Sequence, residues 1–484
     1  MALTRRRKAL LATPLPATWM SNVIIHNVYV KFYTDVIGLD PVYVGWVYLA
    51  FNIWNLVNDP IFGVMLDKMH YRPGKGKFLL VMRRTVPFML LGLILMAWTD
   101  PSWPQGVIFA VFLIELFLFD VASTFYVISA TSYFYLAAPS REERIDVDVY
   151  KSWIGNVTSA VATVVATQLL VGDAITEHTT IATMLMGVVL VNALLYMIPI
   201  LLLKDPPELY EHGDAGNQQV TWEQLKVDAR SILRMRAFWS WFAFSATGLA
   251  PLGMYFTAFL FLMDHVIHST GTQATITDVG SMVVVLLLLP LYARLIKRIG
   301  SRTSIFVGMV PYILGLSALF LASEWWHVLL CYMVLMSGRY IIVTASTPLE
   351  ASLIDENERD TGTRKTGTFA ALRALMSAPL IGIQTSLFMW VIAAFGYDQR
   401  AEVQTATAEF GIRFATAGIP ILFMLVGAIA LAFLPYTKSV EAELSKFSLS
   451  QRARTNGASP SLAEEIAPLL EDGLSANPSE ESSP

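Results

Sequence analysis

The sequence predicts an all-α membrane protein in which twelve helices cross the bilayer in two groups of six. Three observations carry that prediction. Of 484 residues, 55% are hydrophobic and 15% charged, whereas soluble chains carry about a quarter charged residues. Apolar runs of roughly 20 residues, long enough to cross a bilayer, recur from end to end. Lysine and arginine fall almost entirely between alternate runs. A net charge of -4 leaves no excess basic face for nucleic acid, and the single cysteine, Cys331, excludes a disulfide framework and a cysteine-built metal site.

The predicted spans, in order, are 16–38, 42–66, 78–98, 106–136, 149–171, 180–203, 237–263, 276–296, 303–322, 327–350, 367–395 and 411–434. The first follows Arg5-Arg6-Arg7-Lys8 and is too long for the apolar core of a signal peptide, so no cleaved leader is expected. Of the 34 Lys and Arg residues, one, Arg400, lies in the loops that face outward if the N-terminus is cytosolic. Lys31, Arg339 and Arg413 lie inside spans, and the rest lie in tails, inner loops or inner helix ends. That bias predicts cytosolic termini. The expected divisions are an N-terminal six-helix bundle over 1–203, a cytosolic linker over 204–236, a C-terminal bundle over 237–435 and a disordered acidic tail over 436–484. Within the linker, Trp222, Leu225, Ala229, Ile232 and Leu233 recur at helical spacing, which predicts an amphipathic helix lying on the inner membrane surface, with Val227 off the apolar stripe.

A 6+6 arrangement suggests duplication, which marks secondary transporters. One trace is direct: Lys68, Arg72 and Gly74 after the second span match Arg294, Arg298 and Gly300 after the eighth.

Two segments carry a family resemblance. Phe32-Tyr33-Thr34-Asp35-Val36-Ile37-Gly38-Leu39 is followed by Ile53-Trp54-Asn55-Leu56-Val57-Asn58-Asp59-Pro60-Ile61-Phe62-Gly63. Later, Asp355 precedes Thr361-Gly362-Thr363-Arg364-Lys365-Thr366-Gly367. The chain thereby resembles the glycoside–pentoside–hexuronide:cation symporters of the major facilitator superfamily, and also the sodium-coupled lysophospholipid carriers. The resemblance implies a twelve-helix major facilitator fold of two pseudo-symmetric six-helix bundles, Na+ or H+ as coupling ion, no cofactor, and a glycoside-like solute. A monomer in the plasma membrane is expected.

The resemblance also implies a cation site on the second span. Asn55, Asn58 and Asp59 at i, i+3 and i+4 share one helix face, and a carboxylate at that depth should face a cavity and hold a cation or proton. Relatives carry a second acid where this chain has Asn55, and their fourth-span acid falls near Thr131. Asp120 is a candidate from its depth alone. The residues with which sugar-carrying relatives read hydroxyls fall on Trp19 or Met20 and on Ala378, so the glycoside site departs from the pattern. Asn22, His26 and Tyr29, spaced four and three apart, make one polar face of the first span, with Asn27 beside it. His26 and Asn27 fit either solute contact or hydrogen bonding between helices. Lys31 is expected to snorkel outward. A mid-span Arg339 is expected to face the cavity, where it suits an anionic or zwitterionic solute. Arg141, Arg144, Arg364 and Arg373 lie at the inner ends and are read as a cytosolic gate. The rival readings are a carrier of lipid-like solutes and a non-transporting receptor or scaffold.

Overall fold

A computed structural model describes residues 4–455 apart from 68, 70, 73–75, 139–140, 173–177, 206–221, 363–368, 370–371, 373–382 and 402. Among the described residues it is helical throughout, without a strand. The first predicted span is built in pieces: α1 (Arg5–Ala12), α2 (Pro14–Val23), then π-helical turns at Ile24–Tyr29 and Phe32–Val36. Thr4 caps α1 by accepting the N–H of Arg7 at 3.3 Å, and Pro14 opens α2 where a missing N–H costs nothing. Next come α3 (Pro41–Asp67), α4 (Phe78–Met96), α5 (Gln105–Ala137), α6 (Arg141–Leu170) and α7 (His178–Leu202).

The second series opens with α8 (Trp222–Leu233), the amphipathic linker helix, on which Ile232 is fully buried and Val227 is 60% exposed. The seventh span is broken: α9 (Arg236–Phe244) passes through a π turn at Ser245–Leu249 and a 3-10 turn at Ala250–Gly253 into α10 (Met254–His265). Then follow α11 (Gly271–Ile299), α12 (Ser301–Leu319), α13 (Trp325–Thr361), α14 (Ile383–Ala394), α15 (Ala406–Arg413), a π turn at Phe414–Gly418, α16 (Ile419–Ala432) and α17 (Lys438–Thr455). Eight helices among the described residues, counting α15 with α16 as one, are long and apolar enough to cross a membrane, and the bent seventh span makes a ninth. The predicted second span is α3, and α14 is the described part of the eleventh. One expectation fails: the tail predicted to be disordered from 436 begins with α17, which packs along α13. Its acidic residues beyond 455 lie outside the described residues.

The end of the bundle at which α4 and α12 begin is here called proximal; the opposite end is distal. The same helix pair packs most closely in each series. In the first, Gly92 of α4 lets α5 approach so that an added Cβ would stand 3.1 Å from the Phe119 N and 3.2 Å from the Glu115 carbonyl oxygen. In the second, Gly308 of α12 faces Gly338 of α13, where a Cβ would meet the Gly308 carbonyl oxygen and the Tyr312 N, each at 2.5 Å.

The proximal end repeats as well. Asp205, just past α7, accepts the N–H groups of Lys77 (2.9 Å) and Leu79 (3.3 Å) and so caps α4. Glu441, past α16, accepts the N–H of Ser301 (3.1 Å) and its hydroxyl (2.9 Å), capping α12. Arg83 of α4 donates to the Ile200 carbonyl at 3.1 Å, and Arg302 of α12 donates to the Ala432 carbonyl at 2.7 Å. Both capped starts follow a glycine with positive φ, Gly76 (78°) and Gly300 (85°), a conformation that side chains resist. The structural counterpart of Gly300 is therefore Gly76. Gly74, the match by spacing, lies outside the described residues.

Candidate transport site

Two of the residues predicted on the second span, Asn55 and Asn58, meet Asp120. Asn58 Nδ2 donates to Asp120 Oδ2 at 2.5 Å. The Asn55 amide, turned to donate, lies 2.8 and 2.9 Å from the two Asp120 oxygens. Helices α3 and α5 run parallel here, and two ring stacks hold the register: Trp54 on Phe117 at 5.3 Å and Phe62 on Phe125 at 4.5 Å. Asp120 is 8% exposed and Asn58 1%, while Asn58 Oδ1 is buried with no hydrogen-bond partner. An orphaned amide oxygen beside a carboxylate is the donor set that a hard cation prefers. Asp59 is in α3, but its side chain lies outside the described residues. Thr131 does not join this group, being about 16 Å further along α5 at 1.5 Å per residue.

A second centre lies where the seventh span breaks. A cavity of about 360 Å3 is lined by Trp241, Ser245, Gly253, Arg339, Glu350 and Gln384 among others. At the 3-10 turn over Ala250–Gly253, Arg339 Nε donates to the Leu252 carbonyl at 3.3 Å. The guanidinium also lies over the rings of Tyr255 and Tyr340, at 5.3 and 5.6 Å. Arg339 thus faces the cavity, as its mid-span position predicts.

The polar face expected on the first span is rearranged. The π turn over Ile24–Tyr29 takes more than 3.6 residues per turn, so the four-and-three spacing no longer aligns the side chains. Tyr29 turns into the core, fully buried, and donates its hydroxyl to the Leu93 carbonyl at 2.6 Å. It is not a cavity residue. Asn22 is exposed. His26 is half-buried beside Tyr48, ring centres 5.8 Å apart, and its carbonyl accepts the Thr257 hydroxyl at 3.1 Å. Asn27 is half-buried. The expected cytosolic gate lies outside the described residues: Arg364 and Arg373 wholly, Arg141 and Arg144 in their side chains.

Sequence reasoning missed a distal cluster. Lys31, expected to snorkel, is instead 1% exposed and ion-paired with Asp35 at 2.5 Å and Asp264 at 2.6 Å. Its partner Asp264 stands at the edge of a span and reads as a loop acid; only the arrangement of the chain in space reveals the pair.

A helical chain with two series of six apolar segments, a broken seventh span lining a cavity that holds Arg339 and Glu350, and amides with a carboxylate inside the membrane is a multi-pass carrier of the major facilitator class. Its family is then direct: residues 10–438 match the MFS/sugar transport protein family, and the chain belongs to it. It is 27% identical over 180 residues to the glucuronide carrier protein homolog of Escherichia coli (strain K12), covering 37% of this chain and 39% of that protein. It is 21% identical over 412 residues to the isoprimeverose transporter of Lactiplantibacillus pentosus, covering 83% and 82%. The match therefore spans about two fifths of the first relative and four fifths of the second. These relatives bear out the resemblance to glycoside–pentoside–hexuronide symporters. Among solved structures, the nucleoside transporter NupG superposes with a TM-score of 0.63 at 14% identity, covering 89% of this chain and 98% of that one. The D-xylose-proton symporter gives 0.60 at 10%, covering 89% and 96%. At such identities the likeness establishes the fold.

Proposed function

We propose that the protein is a secondary active symporter that couples a small glycoside-like solute to Na+ or H+ by alternating access, as a monomer in the plasma membrane with both termini cytosolic. The observation that carries the coupling is the Asn55, Asn58 and Asp120 group, with the Asn58 oxygen unpartnered. Asp120 supplies the charge, and the amide oxygens turn to complete the ion's shell. When the ion leaves, the amides swing back to donate to the carboxylate, which lowers the cost of carrying it through the cycle. The names of the relatives support a glycoside. Arg339 in the cavity favours one that bears a carboxylate, because a guanidinium holds carboxylates with two parallel hydrogen bonds.

The test is thermal stability of the purified wild type, Asp120→Asn and Asp59→Asn, with and without sodium, at pH 6 and 8. Sodium at 100 times Kd should stabilise the wild type by about 2.7 kcal/mol and Asp120→Asn not at all. Stabilisation by pH alone assigns H+ instead. A wild type indifferent to both sinks the symport reading.

A further inference from the structure

Five side chains, from the first span, the seventh span and the chain just past the eleventh, meet at the distal end of the bundle. Lys31 Nζ lies 2.5 Å from Asp35 Oδ2, 2.6 Å from Asp264 Oδ2 and 3.0 Å from His265 Nε2. His265 Nε2 is 2.7 Å from Asp35 Oδ2, and Tyr397 donates its hydroxyl to Asp35 Oδ1 at 2.5 Å. Burial and the Asp35 carboxylate raise the Tyr397 phenol well above its ordinary range, so it remains a donor. The remaining Asp264 oxygen accepts the N–H of Gly172 at 2.9 Å. Lys31 and Asp35 belong to the first span, Asp264 and His265 to the seventh, and Tyr397 follows the eleventh.

Two close approaches flank the cluster, each between an early and a late span. Gly45 of α3 packs directly under the Trp390 ring of α14. Gly271, opening α11, stands where a Cβ would lie 2.7 Å from the Thr167 carbonyl oxygen of α6. Beneath the cluster, Thr257 bridges the His26 carbonyl at 3.1 Å and the Thr385 hydroxyl at 3.4 Å. The Arg339 cavity begins one turn further in, at Gly253 and Gln384.

We infer that Lys31 is a built-in cation that locks the distal gate, and that solute passes the distal side only after its pairing with Asp264 comes apart. Separating the first span from the seventh and from the end of the eleventh breaks Lys31–Asp264, His265–Asp35 and Tyr397–Asp35 together, while Lys31–Asp35 survives within the first span. Buried ions held this way cost desolvation on closing, and water repays it on opening. The lock therefore biases which gate is shut more than it stabilises the fold. This inference rests on the transport reading, but its test does not require a solute.

The test places Thr257→Cys in a Cys331→Ser background and measures its labelling by a membrane-impermeant maleimide from the distal face. With the lock intact, labelling should be slow. Asp264→Asn, which leaves Lys31 paired with Asp35, and Lys31→Met should each accelerate it at least tenfold. Size-exclusion profiles of both variants verify folding, and Asp264→Asn alone decides the matter if Lys31→Met misfolds. Unchanged labelling in a folded Asp264→Asn protein overturns the lock. Accelerated labelling in a protein that accumulates no solute would keep the lock and discard symport.

Discussion

Asn58 donates to Asp120 across 2.5 Å and so ties α3 to α5 in the interior of the membrane, between two stacked ring pairs. The same amide carries an oxygen with no partner. Asn58→Ala removes both atoms. The sodium concentration for half-maximal uptake is expected to rise at least tenfold, about 1.4 kcal/mol of lost ion binding, while Asn58→Asp retains an oxygen ligand and a smaller shift. Uptake at graded sodium in proteoliposomes measures it.

Arg339 meets the cavity through a guanidinium held by the Leu252 carbonyl and two tyrosine rings. Arg339→Ala should raise KM for a glucuronide at least tenfold and that for a neutral glycoside by less. Counterflow with both labelled solutes checks the split. Equal losses for the two would place Arg339 in the scaffold of the broken span.

Tyr29 shows how a core role differs from a solute role. Tyr29→Phe strips the Leu93 carbonyl of its donor and should lower stability by about 1–3 kcal/mol without changing KM. Thermal unfolding and uptake kinetics on one preparation test both halves of that statement.

Gly338 is the tightest point between α12 and α13. Gly338→Ala must push apart two backbones, since its Cβ would stand 2.5 Å from both the Gly308 oxygen and the Tyr312 N. A loss of about 1–3 kcal/mol is expected. Gly187→Ala, with open space around it, serves as the control and should leave the melting temperature unchanged.

The spans were legible because a bilayer demands long apolar runs, whatever their tertiary partners. Asn55 and Asn58 were legible for a related reason: their spacing lies within one helix, so α-periodicity alone places them on one face. Asp120 could be suggested only by depth, because its pairing with α3 depends on how two helices register. Tyr29 misled because a π turn changes the periodicity, and Ile24–Tyr29 carries no proline or glycine to announce it. Lys31 misled for a different reason. Its place near the outer end of the first span suggests escape to water, but besides Asp35 in the same span a second carboxylate, Asp264, arrives 233 residues later to hold it inside.

Asp205 and Glu441 each bind the start of a third span to the chain just beyond a sixth. Each six-span unit thus fastens its own last strand of chain to its interior before the next begins. The ties do not cross between units, so the backbone joining them carries no part of this fastening. A gene cut within 206–221 and expressed as two fragments should yield two self-contained pieces that find each other in the bilayer and restore uptake, as separately made parts of one machine.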